Sequence, residues 1–387
     1  MNLKGKMLSQ NRLGLDRFWN FSRDGIDNFR TGLRDAVSGV EQTRSRMMEY
    51  DQLLVWAVLS LMLIGLVMVY SASITLADGP KYANYSSNFF LIRHLISLAI
   101  ATGVGVWVFK IPSKVWDRYS PVIFGFTVVL LVLVLIPGVG KGVNGARRWI
   151  PLGIMNFQPS ELMKFAAVIF AASYTVQRQE YLHSFSKGML PMGIAVALVG
   201  GLLMKEPDMG AFVVVAIIAF GILFLGGINA KLFGGLLLVG LLSGAAMIAL
   251  SPFRRERMLA FMDPWQVDNA ANKGYQLTHS LMAFGRGEWF GTGLGGSVEK
   301  LHYLPEAHTD FIMAVIGEEL GFVGVVVMIF LFYWIVRRAF MIGRTALQLD
   351  RSFAGLAAKG VAIWIGWQAF INMGVNLGLL PTKGLTL

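Results

Sequence analysis

From Gln52 onward the chain alternates long apolar runs with short polar breaks, rather than showing the amphipathic stripes of a water-soluble domain. The first run, "LLVWAVLSLMLIGLVMVYSAS" at 53–73, contains no charge and is long enough to cross a hydrocarbon layer of roughly 30 Å. The pattern predicts nine spans, near 52–72, 89–109, 121–137, 160–177, 189–204, 210–227, 232–250, 310–336 and 354–377. Runs of this length satisfy their backbone polar groups only as helices, which excludes barrel strands. The first begins too late in the chain to be a secretory signal. The expectation is an all-α, polytopic membrane protein.

Two segments do not span. Residues 1–50 form a polar tail in which Phe18, Phe21, Ile26, Phe29, Leu33, Val37 and Val40 recur at roughly helical spacing. That spacing suits an interfacial or partner-docking helix, and the polar composition suits a partly disordered tail. Segment 251–309 is too polar to cross and too long for a turn. Its Trp265, Tyr275 and many glycines suggest a loop folded back on the membrane surface.

Basic residues in short loops set the orientation. With the tail cytoplasmic, the breaks carrying Lys110, Lys114 and Arg118, then Arg178 and Lys187, then Arg337, Arg338, Arg344 and Arg351 are cytoplasmic too. Segments 78–88, 138–159 and 251–309 then lie outside. Arg147 and Arg148, with Arg254, Arg255 and Arg257, fall on that outer side against the rule. Long loops escape the rule. In the short 138–159 loop an anionic ligand is the better explanation, because guanidinium forks match phosphate oxygens.

Composition agrees with this reading. The 387 residues are 55% hydrophobic and 15% charged, against about a quarter charged in soluble domains. The net charge of +11 is spread over the breaks between spans, which favours anionic lipid head groups as partners over nucleic acid. Cysteine is absent and the five histidines fall in no metal-binding spacing, so a zinc site is not expected. Asp263 and Asp268 are candidates for a divalent cation, although solvated loop acids are the commoner case. "GTGLGG" at 291–296 follows no strand and is not read as a nucleotide loop.

Candidate chemistry gathers in two places. "YLPEAHTDFIMAVIGEELGF" (303–322) sets His308, Thr309 and Asp310 at the mouth of a span and buries Glu318 and Glu319 roughly 12 Å deeper at 1.5 Å per residue. Asp310 reads either as a helix cap or as a general base of raised pKa. Thr309 is the more natural cap. Gly317, Gly321 and Gly324 form a small-residue stripe suited to close helix packing. "NGARRWIPLGIMNFQPSELMKF" (144–165) carries Arg147, Arg148 and Trp149, then Glu161 and Lys164 at i,i+3 on one helix face. That pair either holds a helix end or tunes a site nearby, and spacing leaves both open.

These stretches, with "VMVYSAS", "EPDMG", "FMDPW", "GYQL" and "LLPTKGLTL", closely resemble the SEDS family (shape, elongation, division and sporulation proteins) from about residue 49 to Leu387. "PEAHTDF", "PTKGLT" and the long tail look like its cell-division members rather than its elongation members. The resemblance implies a ten-span fold with a large extracytoplasmic loop before the eighth span. About nine spans are present, and the chain is expected to stop short of the tenth. It also implies a peptidoglycan glycosyltransferase of the bacterial inner membrane that polymerises lipid II at the division septum. A class B penicillin-binding protein, the septal transpeptidase, and other divisome proteins are the implied partners. By motif, Asp310 matches the essential aspartate. Glu161 and Lys164 match the charged pair of the central cavity. Arg148, Arg257 and Lys383 match basic residues near the substrate. Glu206 departs from the commoner "QPD" form. No organic cofactor is expected; Mg²⁺ or another divalent cation is the candidate helper for the leaving pyrophosphate. A lipid II flippase and a non-catalytic divisome scaffold are the alternative functions.

Overall fold

The computed structural model describes residues 50–78, 86, 88–143, 146–151, 153 and 156–381. The tail pattern in 1–49 and Lys383 lie outside the described residues. Helices occupy all nine predicted spans: α1 (Gln52–Ser73), α2 (Phe89–Phe109), α3 (Ser113–Leu135), α4 (Pro159–Gln177), α5 (Leu190–Lys205), α6 (Met209–Leu225), α7 (Ala230–Ala249), α11 (Ile312–Gln348) and α12 (Ser352–Asn376). Six segments among the described residues are long and apolar enough to cross a membrane by themselves, and α6 and α7 are shorter apolar helices.

Local signals set most starts. Asp51 accepts the Leu54 N–H at 3.0 Å and so caps α1, Asp208 caps α6 through Ala211 N, and Pro159 occupies the first turn of α4. Two boundaries correct the sequence reading. The third span begins at Ser113 rather than near 121 and carries Pro121 inside it, so Lys114 and Arg118 sit on a helix. The eighth runs to Gln348, so Arg337, Arg338 and Arg344 are helical rather than in a loop.

The segments predicted as loops are built. Three short strands form a small antiparallel sheet of order β1-β2-β3: β1 (Lys141–Val143), β2 (Ala146–Pro151) and β3 (Asn156–Phe157). Its register pairs Gly142 with Arg147 and Ile150 with Phe157. Segment 251–309 holds α8 (Pro252–Met262), α9 (Val267–Ala271) and α10 (Tyr275–Gly287).

Two buried clusters form the interior. One joins α3, α4, α5 and α6 around Leu131, Met163, Val214 and Ile218. The other joins α1, α10 and α11 around Met68, Ala283, Met313 and Met328. Helix α12 packs into both: Leu356 belongs to the first, and Ala369 and Met373 to the second. Helices α2 and α7 contribute almost no buried residues; their apolar faces suit hydrocarbon.

Helix α11 is really two helices. Gly321 stands at φ 67, ψ −165 inside it, a conformation that side-chain-bearing residues avoid. The freed backbone groups pair with 288–293: Thr292 N donates to Glu318 O at 2.9 Å and Phe322 N to Glu288 O at 2.9 Å. A Cβ on Gly321 would meet Gly291 N at 2.4 Å. Within the glycine stripe Gly321 thus packs against backbone, whereas a Cβ on Gly317 would meet the Phe284 ring at 2.3 Å and one on Gly324 the Leu320 side chain at 2.4 Å.

Candidate active site

The break in α11 sets up the site. Residues Ile312–Glu319 are buried throughout, and the loop before them is pinned from below by two carboxylates. Glu318 accepts from Ser297 Oγ, from the Val298 and Glu299 N–H groups and from Arg286. Glu319 accepts from Lys300 Nζ at 2.6 Å and from Ser71 Oγ of α1 at 2.7 Å. Both are structural anchors with their acceptor sites filled by protein donors.

Asp310 sits above them, outside the helix. The residue capping α11 is Phe311, with no side-chain cap bond. Asn376 of α12 takes that role across the interface: its Oδ1 accepts from Ala314 N at 3.2 Å, while its Nδ2 donates to the Asp310 carbonyl at 2.9 Å. Asn372 Nδ2 donates to the same carbonyl at 2.9 Å. Thr309 bonds back to Glu306 and does not cap. The backbone of Asp310 is thus held by two amides, and its carboxyl is not used as a cap. That carboxyl is pushed up to about 6, first by burial and next by the charge of Glu306; Arg148 pulls it back and Asp208 adds a further push.

Alternation along β2 exposes Arg147 and half-buries Arg148. Arg148 donates to the Glu206 carbonyl at 3.0 Å and to the Pro207 carbonyl, fastening the sheet to the α5–α6 turn. Asp208 in that turn is buried and accepts from Ser160 at 3.0 Å and Gln158 at 3.2 Å. "QPSE" and "EPDMG", 48 residues apart at Ser160 and Asp208, are therefore one structure.

Lys164 is fully buried and bonds to Glu161 at 2.7 Å and to Gln368 Oε1 at 2.7 Å, with the Trp364 ring 5.7 Å away. Gln368, Asn372 and Asn376 follow at i, i+4 and i+8, so they line one face of α12. This amide stripe leads from the Glu161–Lys164 pair to Asp310. The sequence reading missed it, although amides at that spacing in "WQAFINMGVN" are a legible signal inside an apolar helix. Arg257 is exposed on α8, which packs on α7. The cation whose charge reaches Asp310 is Arg148.

Among the described residues no group of three His, Asp or Glu side chains is placed to hold a metal ion. Asp263 and Asp268 line an open cleft of about 620 Å³ with the Glu256–Lys273 pair, between α8 and α9.

Residues 52–387 match the FtsW/RodA/SpoVE family of cell cycle proteins. The chain belongs to this family. A relative from Polynucleobacter necessarius, named "Probable peptidoglycan glycosyltransferase FtsW", is 92% identical over all of this chain and 92% of its own length. One of the same name from Burkholderia thailandensis is 65% identical over 92% of this chain and 77% of that protein. A chain of a solved peptidoglycan synthase complex superposes with a TM-score of 0.70 at 28% identity, covering 88% of this chain and 91% of that one. The rod shape determining protein RodA of Thermus thermophilus gives 0.60 at 25% identity, over 88% and 89%. The SEDS membrane fold expected from the motifs is the fold observed, with a small sheet in an otherwise helical chain.

Glu206 is where this chain departs from the family's commoner "QPD" form. It is fully buried, and its carboxyl oxygens receive no hydrogen bond from the described residues. Its carboxyl is pushed up to about 8, mainly by burial and also by Asp208, with Arg148 opposing. Its stabilising protonation is whole below the ordinary value of 4.5 and is lost as pH rises to about 8. Glu206→Gln is expected to raise the apparent melting temperature at pH 7 or above, by on the order of 1–3 kcal/mol of stability. It is expected to flatten the pH dependence between those limits. Differential scanning fluorimetry of the detergent-solubilised protein at pH 5, 7 and 9 checks it. An unchanged pH dependence would show that Glu206 ionises normally.

Proposed function

We propose that this chain is a septal peptidoglycan glycosyltransferase, polymerising lipid II into β-1,4 glycan strands with Asp310 as general base. The observation that carries the reading is a desolvated carboxyl near 6, free of capping duty, whose backbone is fixed by Asn372 and Asn376. A sugar hydroxyl is a poor nucleophile, and a positioned base of pKa near the working pH serves it best. The acceptor's GlcNAc O4 gives its proton to Asp310 and bonds to the donor's anomeric carbon. The bond from that carbon to phosphate breaks, and undecaprenyl pyrophosphate leaves with the electron pair and with inversion.

The leaving anion needs fixed positive charge. Arg148 supplies it nearest Asp310, and its bonds to the 206–207 carbonyls hold the guanidinium in place. Lys164 and Arg257 are assigned to the lipid-linked substrate, with Glu161 orienting Lys164, and Lys383 is assigned to it by its motif alone. The names of the relatives support the division-specific role, and the solved synthase complex supports a penicillin-binding partner. The reading includes an inner-membrane location with a cytoplasmic N-terminus.

Proteoliposomes given lipid II on the outer face alone test it. Strand formation there requires polymerisation and no translocation. The rate is expected to fall about tenfold per pH unit below a midpoint near 6, because protonated Asp310 cannot accept the hydroxyl proton. Polymerisation that stays constant from pH 7 to 5 would remove Asp310 from that role.

A further inference from the structure

The end of the bundle remote from Asp310 carries a second site. Beyond the break at Gly321, α11 continues for about 35 Å to Arg344. There Tyr333, Arg337, Phe340, Met341 and Arg344 recur at helical spacing and, with Lys359 of α12, line a cavity of about 480 Å³. Gly343 makes it possible: an added Cβ there would meet Lys359 Cγ at 2.7 Å and Gly355 O at 2.7 Å. The Lys359 stem lies directly across α11, at the level of Arg344. Residues 325–360 contain five basic side chains and one acid, Asp350. Arg338 is paired with Asp51. No carboxylate among the described residues pairs with Arg337, Arg344 or Lys359.

We propose that this cavity binds the phosphate head group of an anionic phospholipid. Arg344 and Lys359 take the phosphate, while Tyr333, Phe340 and Met341 lie along the acyl chains. Three cations without counter-charge at the water-facing end of two membrane helices need an anion. The aromatic and thioether groups between them exclude a purely aqueous one: exposed apolar side chains beside basic ones are what a lipid's two halves require. The basic-loop pattern assigns this end to the cytoplasmic leaflet, so the site is separate from outer-face chemistry at Asp310.

Native mass spectrometry of the full chain, released from mixed phosphatidylglycerol and phosphatidylcholine, tests the site. Wild type is expected to retain phosphatidylglycerol preferentially. Arg344→Gln with Lys359→Met, which keeps the stem across Gly343, is expected to lose that preference by about 30-fold, since each basic group near an anionic leaflet is worth roughly fivefold. Arg351→Gln, outside the cavity, should retain it. Lys359→Met alone, expected to lose about fivefold, serves if the double variant does not fold. Equal retention by wild type and variants would overturn the proposal. So would displacement of the lipid by millimolar inorganic phosphate, which would mean the cavity holds free phosphate, or by a peptide of residues 1–49, which would mean it holds the tail.

Discussion

Asp310→Asn is expected to lower lipid II polymerisation by about 10³-fold, the usual contribution of a positioned base. The change keeps shape and removes only proton affinity. The Asp310 carbonyl still accepts from Asn372 and Asn376, so the loop stays seated. The stability effect has the opposite sign. The folded-state pKa lies at about 6, above the ordinary 3.8. Stability from this group is whole below 3.8 and is lost as pH rises to about 6. At pH 7 a neutral amide therefore removes a half-buried charge, and the variant should melt higher by on the order of 1–2 kcal/mol of stability. A cap would give the reverse, since losing one costs about 1 kcal/mol. Lost activity together with raised stability separates the two readings that spacing left open. A variant that is active, or inactive and less stable, would return Asp310 to a structural role.

Glu319→Ala is expected to cost 3–5 kcal/mol, on the order found for breaking one side of a buried ion pair. Lys300 is 3% exposed and Glu319 0%, so the lysine would be left buried with only Ser71 as a side-chain partner. The Lys300 carbonyl also accepts from Thr75 Oγ1 at 2.9 Å. Loss of the anchor would therefore loosen both the end of α1 and the loop leading to Asp310. Polymerisation should fall with stability. Glu319→Leu combined with Lys300→Met should recover most of the stability, because apolar replacement of a whole buried pair is often neutral. Thermal melts and polymerisation assays of single and double variants check this. A double variant as unstable as Glu319→Ala would show that the pair is needed as charge rather than as filling.

The sequence by itself determined the nine helical places, because each apolar run had to satisfy its backbone in hydrocarbon and only a helix does so. It determined the family, through motifs quoted residue by residue, and singled out Asp310, Arg148, Glu161 and Lys164. Their partners it could not give. Ser160 meets Asp208, Lys164 meets Gln368, and Asn376 meets both Asp310 and Ala314. Each is a contact between distant elements with no local signal beyond a polar residue in an apolar run. The Gly321 break was likewise out of reach: glycine permits a positive φ but does not require one. Only the docking of 288–293, which accepts and donates the freed backbone bonds, makes the broken helix the stable one. Whether Asp310 caps or is left to do chemistry was decided in the same way, by an asparagine 66 residues away that bonds its carbonyl and the Ala314 N–H and leaves the carboxyl unused.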